Sequence, residues 1–370
     1  MTSKKILLVS RSFYPMNSPR AFRTTELAKE LARQGHQVTV LTSKTEELNE
    51  FEKIYGLKVK DLGVRKFKDI QLKGKGFFYL LRRIVFRISK LLFEYPDIQY
   101  YFIVKNKLKH EKGYDALISI AVPYPVHWGV AAIWNRKQKV NPAKVWIADC
   151  GDPYMGAENE NFKKPFYFKY IEKWFCRKVD YLTVPTKGSV NGYYKEFHSK
   201  MKIIPQGFKF DDIKIKPLHN DTGVVKFAYA GIFIPGRRDP SEFCEYLIKQ
   251  KIDFIFYIYS SSHTLVEKYQ RKSNGKIICK EFIPRESLLY ELGEVDFVVN
   301  FENVGGKQTP SKLIDYAIIN KPILSIKTGD LKSDLVDEFL NKNYKNAYVV
   351  KNVDQYKIEN VSREFIKLFN

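Results

Sequence analysis

Hydrophobic residues along this chain occur in short runs that alternate with segments of helical periodicity. The run KILLVS at residues 5–10 has the length and aliphatic content of a buried strand. In the following RTTELAKELARQG, Leu27, Ala28 and Leu31 recur at helical spacing before Gly35 ends the pattern. HQVTVLT then supplies a second strand. This strand, helix, strand order is typical of a parallel α/β sheet.

The alternation continues through ALISI, VHWGVAAIW, AKVWIAD and FYFKYIEKWFCRK, and a second series extends from VKFAYAG to KPILSI. Between the two series lies FKFDDIKIKPLHNDTG, which is polar, has no hydrophobic period and is a candidate linker. We therefore predict an α/β protein with two doubly wound domains, over residues 1–207 and 208–352. A helix within residues 353–370 is expected to return to the N-terminal domain. Ligands in such sheets bind beyond the carboxyl ends of the strands.

The length and composition agree with this prediction. A chain of 370 residues exceeds the size at which one core keeps growing, and 44% hydrophobic residues indicate a folded protein. The cysteines lack metal-ligand spacing and indicate a reducing compartment; they are Cys150, Cys176, Cys244 and Cys279. The first apolar run is too short for a signal peptide, and no run is long enough to span a membrane. We expect a cytoplasmic protein.

The net charge of +22 indicates either an anionic partner or an ordinary solvated basic surface. Nucleic acid, anionic lipid and phosphorylated substrates would each account for the excess of cations, as would an ordinary basic surface. No known nucleic-acid-binding module is present, so nucleic acid is not expected among the partners.

Several polar residues of the N-terminal domain follow predicted strands. Arg20 and Arg23 begin a helix, where they could contact phosphate or be solvated cations. His127 follows a strand and two prolines, in a loop position that suits either a functional or a structural histidine. Asp149 and Asp152 end another strand; without a histidine cluster or a DxD triplet, we favour a polar cleft residue over a metal ligand.

In the C-terminal domain, YAGIFIPGRRDPSEF places Gly231, Arg237 and Arg238 between a strand and a helix. Asp239 and the following proline make the helix start self-sufficient. Arginines beside a helix N-terminus suit a diphosphate, because guanidinium groups form bidentate bonds with phosphate.

The stretch NVGGKQTPSKLIDYAIINKPILSI contains a second helix start, with Thr309 as N-cap and Pro310 as first helical residue. Lys312 then opposes the helix dipole, and Asp315 lies one turn further on the same face. A ligand with an anion and hydroxyl groups, such as the diphosphate and ribose of a nucleotide, would satisfy both side chains. The alternative is a surface ion pair between Lys312 and Asp315.

Taken in order, these motifs resemble the glycosyltransferase family 4-like group of the GT-B fold over essentially the full chain. The N-terminal motifs are AFRTTELAKELARQGHQVTVLT, YDALISIAVPYPVHWG and WIADCGDPY. The C-terminal motifs are YAGIFIPGRRDP, FIPRESLLYELGEVDFVV and TPSKLIDYAIINKPIL. The resemblance implies two facing Rossmann-like domains with a cleft between them, and an enzyme that transfers sugar from a nucleotide-sugar donor with retention of configuration.

The resemblance also implies roles for individual residues. His127 and Asp152 are expected at the reacting centre, with His127 on the donor sugar. Arg237 or Arg238 together with Lys312 would hold the diphosphate, and Asp315 the ribose hydroxyls. The donor site further includes Gly231, Pro310 and Ser311, and Arg20 and Arg23 lie on the phosphate or acceptor side. No metal and no other cofactor is expected.

Two positions depart from the family pattern. Asp315 stands where the paired-acid motif ends in glutamate, and Lys307 stands where its first acid is expected. The identity of the donor hexose therefore does not carry over. The rival hypotheses are a nucleotide-sugar epimerase of the same fold, and a catalytically weak homologue that binds membrane or partner proteins.

Related enzymes commonly build cell-surface polysaccharides such as lipopolysaccharide or capsule, so a lipid-linked or glycan acceptor is expected. The segment GFFYLLRRIVFRISKLLF at residues 76–93 fits this expectation. Its apolar residues recur at helical spacing, and its cations fall on another side: Phe78, Leu81, Val85, Ile88 and Leu92 against Arg83, Arg87 and Lys90. The helix either lies on an anionic membrane surface at the inner face or packs its apolar stripe inward.

Overall fold

The computed structural model of the protein describes residues 2–67, 75–135, 140–151, 153–156, 163–217, 223–302 and 311–370, with the backbone alone at Ser311. The chain divides into two compact units. Unit 1 comprises Met1–Phe208 and Gln355–Asn370, and unit 2 comprises Lys209–Asp354. Each unit is built on a parallel sheet with helices between consecutive strands, which confirms the predicted α/β class.

Unit 1 contains a seven-stranded sheet in the order β3-β2-β1-β4-β5-β6-β7. The strands are β1 Lys5–Ser10, β2 Gln37–Thr42, β3 Lys58–Asp61, β4 Tyr114–Ile120, β5 Ala143–Asp149, β6 Tyr181–Val184 and β7 Met201–Ile203. The central strand β1 pairs in parallel with β2 and β4, with Leu8 opposite Val40 and Ile118. The order reverses at β1, so the carboxyl ends of β1 and β4 flank the switch point of the sheet.

The helices of this unit between β1 and β7 are α1 Pro19–Arg33, α2 Glu47–Tyr55, α3 Phe77–Phe93, α4 Gln99–Leu108, α5 Pro125–Ile133, α6 Phe168–Lys178 and α7 Lys187–Val190. A 3-10 helix spans Lys195–Lys200. Helix α1 begins at Pro19 because Ser18 caps it, its side chain accepting the Ala21 N–H at 3.2 Å. Gly35, at φ +83°, then turns the chain into β2.

The core of unit 1 has two layers because neighbouring residues of a strand face opposite sides of the sheet. In β1, Leu7 and Val9 belong to the layer with Trp146 and Phe175. Ile6 and Leu8 of the same strand belong to the layer with Leu27 of α1 and the end of the chain. Burial on both faces explains why β1 reads as a continuous apolar run rather than an alternating one.

Unit 2 contains a five-stranded parallel sheet in the order β10-β9-β8-β11-β12. Its strands are β8 Val225–Ala230, β9 Phe254–Tyr259, β10 Ile277–Lys280, β11 Phe297–Phe301 and β12 Ile323–Ile326. Its helices are α8 Ser241–Leu247, α9 Glu267–Lys272, α10 Arg285–Leu292, α11 Ser311–Ile318 and α12 Ser333–Leu340, followed by a 3-10 helix at Val353–Tyr356. Phe227 of β8 stacks on Phe297 of β11 at 4.5 Å, which places an aromatic core across the central strands.

The last helix, α13 Ile358–Ile366, packs against α1 of unit 1. Gln34 Nε2 donates to Ser362 Oγ at 2.7 Å, and the Arg23 guanidinium lies 5.6 Å from the centre of the Phe365 ring. Among the helices of the described residues, none combines the length and apolarity that crossing a membrane requires.

Candidate functional site

The carboxyl end of β8 in unit 2 carries the glycine that the sequence singled out. Gly231 has φ +144°, and its N–H donates to the Tyr259 carbonyl at 3.0 Å. A Cβ atom at this position would lie 3.0 Å from the Tyr229 hydroxyl and 3.9 Å from Lys312 Nζ. The glycine therefore keeps the space beside these two side chains free, at a backbone angle that other residues rarely adopt.

Lys312, in the first turn of α11, points its ammonium group toward this space. Its Nζ lies 4.4 Å from the centre of the Tyr229 ring. The nitrogen is buried, and it has no hydrogen-bond partner among the residues that the structure describes. Burial, together with the charge of Arg238, lowers the pKa of Lys312 to about 7. The charged form of this lysine is therefore unsatisfied by any of the described residues.

Arg238 brings a second cation to the same place, where it also interacts with the Tyr229 hydroxyl. Its Nε is buried and, within the described ranges, also has no hydrogen-bond partner. Burial raises the pKa of the Tyr229 hydroxyl to about 12, against the opposing effect of Arg238. Lys312 and Arg238 thus flank one tyrosine, and each lowers the free-energy cost of placing an anion beside the other.

Two converging buried cations are costly unless an anion compensates them. Among the described residues, no carboxylate forms an ion pair with either side chain. Groups of this kind bind phosphate well, since an ammonium acts as a point charge and a guanidinium donates two parallel hydrogen bonds. The arrangement is that of an anion site, and its most suitable ligand is a phosphate or diphosphate.

Asp315 is occupied by a partner that the sequence did not indicate. Arg285, the first residue of α10, donates to Asp315 Oδ1 from Nε at 2.9 Å and from Nη2 at 2.5 Å. The alternative hypothesis of an ion pair between Lys312 and Asp315 is therefore wrong. Burial raises the pKa of Asp315, and Arg285 opposes the rise. The two residues are 30 positions apart, which no local pattern could reveal.

Arg237 and Arg238 diverge despite being adjacent. The side chain of Arg237 is exposed, and its carbonyl accepts a hydrogen bond from the Thr328 hydroxyl. The helix start behind them is self-capped, because Asp239 Oδ1 accepts the Ser241 N–H at 3.0 Å. Of the two arginines, Arg238 is the one that the structure brings to Lys312.

Four predicted positions lie outside the described residues: Asp152, Lys307, Thr309 and Pro310. Ser311 is described by its backbone alone, at the start of α11. The predicted roles of these residues stay predictions.

In unit 1, Arg23 forms a buried ion pair instead of either predicted arrangement. Its Nε donates to Asp149 Oδ2 at 2.5 Å and its Nη2 to Oδ1 at 2.7 Å. The guanidinium also donates to the carbonyls of Ile204 and Pro205. Thr183 donates to Asp149 as well, at 2.7 Å. Arg23 was predicted to be a phosphate contact or a solvated cation, and both interpretations are wrong because Nε, Nη1 and Nη2 all donate to groups inside unit 1.

Arg20 lies at the edge of this ion pair, with Nη1 4.0 Å from Asp149 Oδ2. Its side chain is 22% exposed. A Cβ atom at Gly151 would lie 1.6 Å from Arg20 Nη2, so the guanidinium rests directly on the glycine. Of Arg20 and Arg23, Arg20 is the one whose charge reaches the surface at the carboxyl end of β5.

The predicted loop position of His127 was wrong. The residue is in α5, and its side chain has no exposed surface. Nδ1 shares a hydrogen bond of 2.8 Å with Ser119 Oγ, and Nε2 lies 3.6 Å from Cys150 Sγ. Burial lowers the pKa of the imidazole to about 3. A neutral ring with both nitrogens engaged inside unit 1 has no atom open to a donor sugar.

No group of three or more histidine, cysteine, aspartate or glutamate side chains within the described ranges has a metal-binding arrangement.

The anion site of unit 2 is defined by Gly231, Arg238 and Lys312, with Tyr229 between the two cations.

A protein-family comparison decides the identity. The model described as "Glycosyltransferase Family 4" matches residues 22–211. The chain belongs to this family. The resemblance inferred from its motifs is therefore confirmed, and the protein is a glycosyltransferase. A comparison with curated proteins gives no match.

Solved structures of other glycosyltransferases share the fold of this family 4 enzyme at low identity. TarM is 13% identical with a TM-score of 0.58, covering 100% of this chain and 99% of its own. The apo lipopolysaccharide outer core galactosyltransferase WaaB is 11% identical with a TM-score of 0.54, covering 98% of each chain. HepE of Anabaena, in complex with UDP and glucose, is 10% identical with a TM-score of 0.51, covering 99% of this chain and 96% of its own. The fold is thus of the predicted GT-B type.

Proposed function

We propose that this glycosyltransferase takes a sugar from a nucleoside diphosphate donor and transfers it, with retention of configuration, to a lipid-linked or glycan acceptor in cell-surface polysaccharide synthesis. The observation that carries the proposal is the buried Nζ of Lys312 beside Arg238, which has no hydrogen-bond partner among the described residues. A diphosphate carries the negative charge that would compensate these two cations. The presence of UDP in the structure of HepE supports the same class of donor.

The same cations would act on the reaction as well as on binding. When the bond between the anomeric carbon and the donor oxygen breaks, negative charge develops on the leaving diphosphate. Lys312 and Arg238 would stabilise this charge, in a site that is already arranged for it. For retention, we propose front-face attack, in which the acceptor oxygen bonds to the anomeric carbon and its proton passes to the departing phosphate. In this mechanism the positive charge at the diphosphate comes from the protein, and transfer is metal-independent.

Asp315 has a less direct role in this proposal than the family pattern implies. Because Arg285 already neutralises its carboxylate, the pair would present Asp315 Oδ2 to the ribose hydroxyls while Arg285 holds the side chain in place. Arg285 is thus a positioning residue, and Arg285→Ala should weaken the binding of a ribonucleotide more than that of the 2′,3′-dideoxy analogue.

The proposed acceptor and cell-surface pathway rest on fold similarity and on the net charge of the chain. WaaB is a lipopolysaccharide outer core galactosyltransferase, and this chain shares its fold at 11% identity. An acceptor carried on a membrane lipid, reached from the cytoplasmic face, fits that relationship and the basic net charge of +22.

A thermal-shift screen followed by a transfer assay tests the proposed function. Nucleoside diphosphates and their sugars should raise the melting temperature for one base in particular, because a ligand that binds only the folded state stabilises it. The matching nucleotide-sugar should then label a lipid or glycan extract, with and without a metal chelator. No shift with any nucleotide would overturn the donor assignment. Conversion of the donor alone, without acceptor, would indicate an epimerase.

A further inference from the structure

Helix α3 of unit 1 has no buried residue, although it is one of the most hydrophobic segments of the chain. Phe77 and Phe78 are 73% and 74% exposed. Further along the helix, Leu81, Val85 and Ile88 are 46%, 47% and 48% exposed. An ordinary surface helix buries its apolar stripe against the protein. Helix α3 instead exposes its apolar side chains, and this exposure needs an explanation.

The half-buried residues of α3 show that its apolar stripe faces away from the protein. Between Phe77 and Lys90 the half-buried positions are Tyr79, Arg83, Phe86 and Ser89, and all others are exposed. At about 100° per residue these four share one side of the helix, and Leu81, Val85 and Ile88 lie on the opposite side. The alternative prediction, an apolar stripe packed inward, is therefore wrong.

The charges on α3 are arranged around this apolar stripe. Arg82 and Arg87, both exposed, lie on either flank of the stripe, about 60° from Val85 and about 100° from Ile88 respectively, while the Arg83 guanidinium lies 5.6 Å from the centre of the Tyr79 ring. No aspartate or glutamate occurs from Phe77 to Phe93. Long cationic side chains at the borders of an apolar face can keep their charges in the headgroup layer while the face enters the lipid.

The carboxyl end of α3 is firmly attached to the rest of unit 1. Buried Glu94, which ends the helix, accepts from the Tyr154 hydroxyl at 2.9 Å and from Lys164 Nζ at 2.5 Å. The Tyr167 hydroxyl donates to the carbonyl of Leu92. These contacts join α3 to the segment that follows β5. A surface that binds α3 would therefore also orient the carboxyl end of β5.

The apolar surface continues beyond α3 onto that segment. Phe166, next to the Tyr167 that contacts the helix, is 77% exposed, and Lys163 and Lys169 on either side of it are exposed as well. Aromatic side chains and cations on the same surface are typical of proteins that bind membrane interfaces.

We propose that α3 docks on an anionic phospholipid surface, with its stripe of Leu81, Val85 and Ile88 in the interface and Arg82 and Arg87 among the lipid phosphates. A second copy of the chain is a poorer occupant, because the cations of two such helices would repel each other. The residues of this surface belong to unit 1 and those of the donor site to unit 2, so its failure would leave the assignment of the diphosphate site unaffected.

Vesicle co-sedimentation of the full chain tests the proposal. Vesicles containing phosphatidylglycerol should bind the protein, vesicles of phosphatidylcholine alone should bind it far less, and raising the salt to about 0.5 M should weaken the binding. The triple variant Arg82→Glu, Arg87→Glu, Lys90→Glu should bind at least about tenfold more weakly. Its matched control is Lys249→Glu, Lys251→Glu, Lys272→Glu, which makes the same change of net charge at exposed positions of unit 2.

A second pair of variants tests the apolar contribution. Leu81→Gln with Ile88→Gln should reduce binding severalfold, whereas Ile54→Gln with Val349→Gln, at exposed sites elsewhere, should not. All of these positions are exposed, so melting temperatures should stay close to that of the wild type. Equal loss in both charge variants, or no binding to anionic vesicles at low salt, would overturn the proposal. Self-association that depends on α3, seen by sedimentation velocity, would also overturn it and assign the surface to a second copy.

Discussion

Unit 1 and unit 2 each bury arginine near the carboxyl end of a strand, but with opposite electrostatic results. In unit 1, Arg23 is bonded on both sides to Asp149, which also accepts from Thr183. In unit 2, Arg238 lies beside Lys312, and each has a buried nitrogen without a partner among the described residues. Within the described residues the first arrangement is complete, whereas the second contains no anion, and we propose that a ligand supplies it.

This difference separates a structural from a functional use of buried charge. A compensated pair holds elements together, here α1, β5 and the chain after β7, and it has no remaining capacity for a ligand. An uncompensated pair reduces the stability of the free protein and gains free energy when the ligand binds. Residue type alone does not distinguish the two, because both sets were candidates for phosphate contact.

The largest effect is expected when the complete pair is broken. Arg23→Ala should destabilise unit 1 by about 3–5 kcal/mol, because it leaves the Asp149 carboxylate buried without its main partner. Urea denaturation measures the loss. Arg20→Ala is the matched control, and it should cost about 1 kcal/mol or less, since this guanidinium is partly exposed and 4.0 Å from the carboxylate. Equal stability of Arg23→Ala and the wild type would refute the structural role.

Removing a cation from the incomplete pair should have the opposite sign. Lys312→Met should raise the free energy of unfolding by a few kcal/mol at pH 6. The folded-state pKa of about 7 is below the ordinary value of 10.5, so burial of the charge penalises the folded protein fully below pH 7.

As the pH rises from 7 to 10.5, the folded protein gives up this proton first and the penalty disappears. The stabilising effect of Lys312→Met should accordingly be lost at high pH, which unfolding curves at pH 6 and pH 10 would show. Lys249→Met, at an exposed site, should change neither value. A destabilised Lys312→Met at pH 6 would mean that the lysine is already compensated.

The two neighbouring arginines provide a sharper test at the ligand. Arg238→Ala should weaken nucleoside diphosphate binding by about 1.5–3 kcal/mol, the range of a hydrogen bond to a charged group. Arg237→Ala should change it by less than about 0.5 kcal/mol, since the side chain is exposed. Titration calorimetry of both variants decides the matter, and equal losses would contradict the separation seen in the structure.

Replacing a buried carboxyl of unit 1 should have a smaller effect on stability than replacing Lys312. Its pH dependence should have the opposite sign. Burial raises the pKa of Glu172 to about 7, and its Oε2 has no partner in the described part of the chain. Between pH 4.5 and pH 7 the unfolded protein loses this proton while the folded protein keeps it, so the penalty on folding grows over this range and is complete above pH 7.

Glu172→Gln should stabilise the protein by about 1–2 kcal/mol at pH 8 and by almost nothing below pH 4.5. Thermal melts at the two pH values test this difference. A stabilisation that is the same at both would show that the carboxyl titrates normally.

The elements that the sequence predicted best are the central strands. KILLVS and AKVWIAD coincide with β1 and β5 because strands buried on both faces are continuous apolar runs. The edge strand β3, with the sequence KVKD and a single buried residue, lacks such a run and was not predicted. Helix α3 was predicted as amphipathic, but periodicity defines a stripe without saying whether protein or another phase covers it.

The candidate site was predictable where it is local and not where it is long-range. Gly231 and Lys312 stand in turn and helix-start motifs, so their unusual residue types were visible. The pairs Arg23 with Asp149 and Arg285 with Asp315 join residues 126 and 30 positions apart, and only the fold brings them together. His127 was misplaced because the two prolines before it were read as a loop, whereas Pro125 is the first residue of α5.

The most direct test of the central claim is titration calorimetry of the wild type and Lys312→Met with a nucleoside diphosphate and with the corresponding nucleoside. The account predicts that Lys312→Met weakens diphosphate binding by at least about tenfold, corresponding to one charge-assisted hydrogen bond, and leaves nucleoside binding nearly unchanged. In the wild type, diphosphate binding near pH 8 should also take up a proton, because the anion raises the pKa of Lys312 from about 7. Equal losses for nucleoside and diphosphate, with no proton uptake, would contradict the assignment of Lys312 and Arg238 as the diphosphate site.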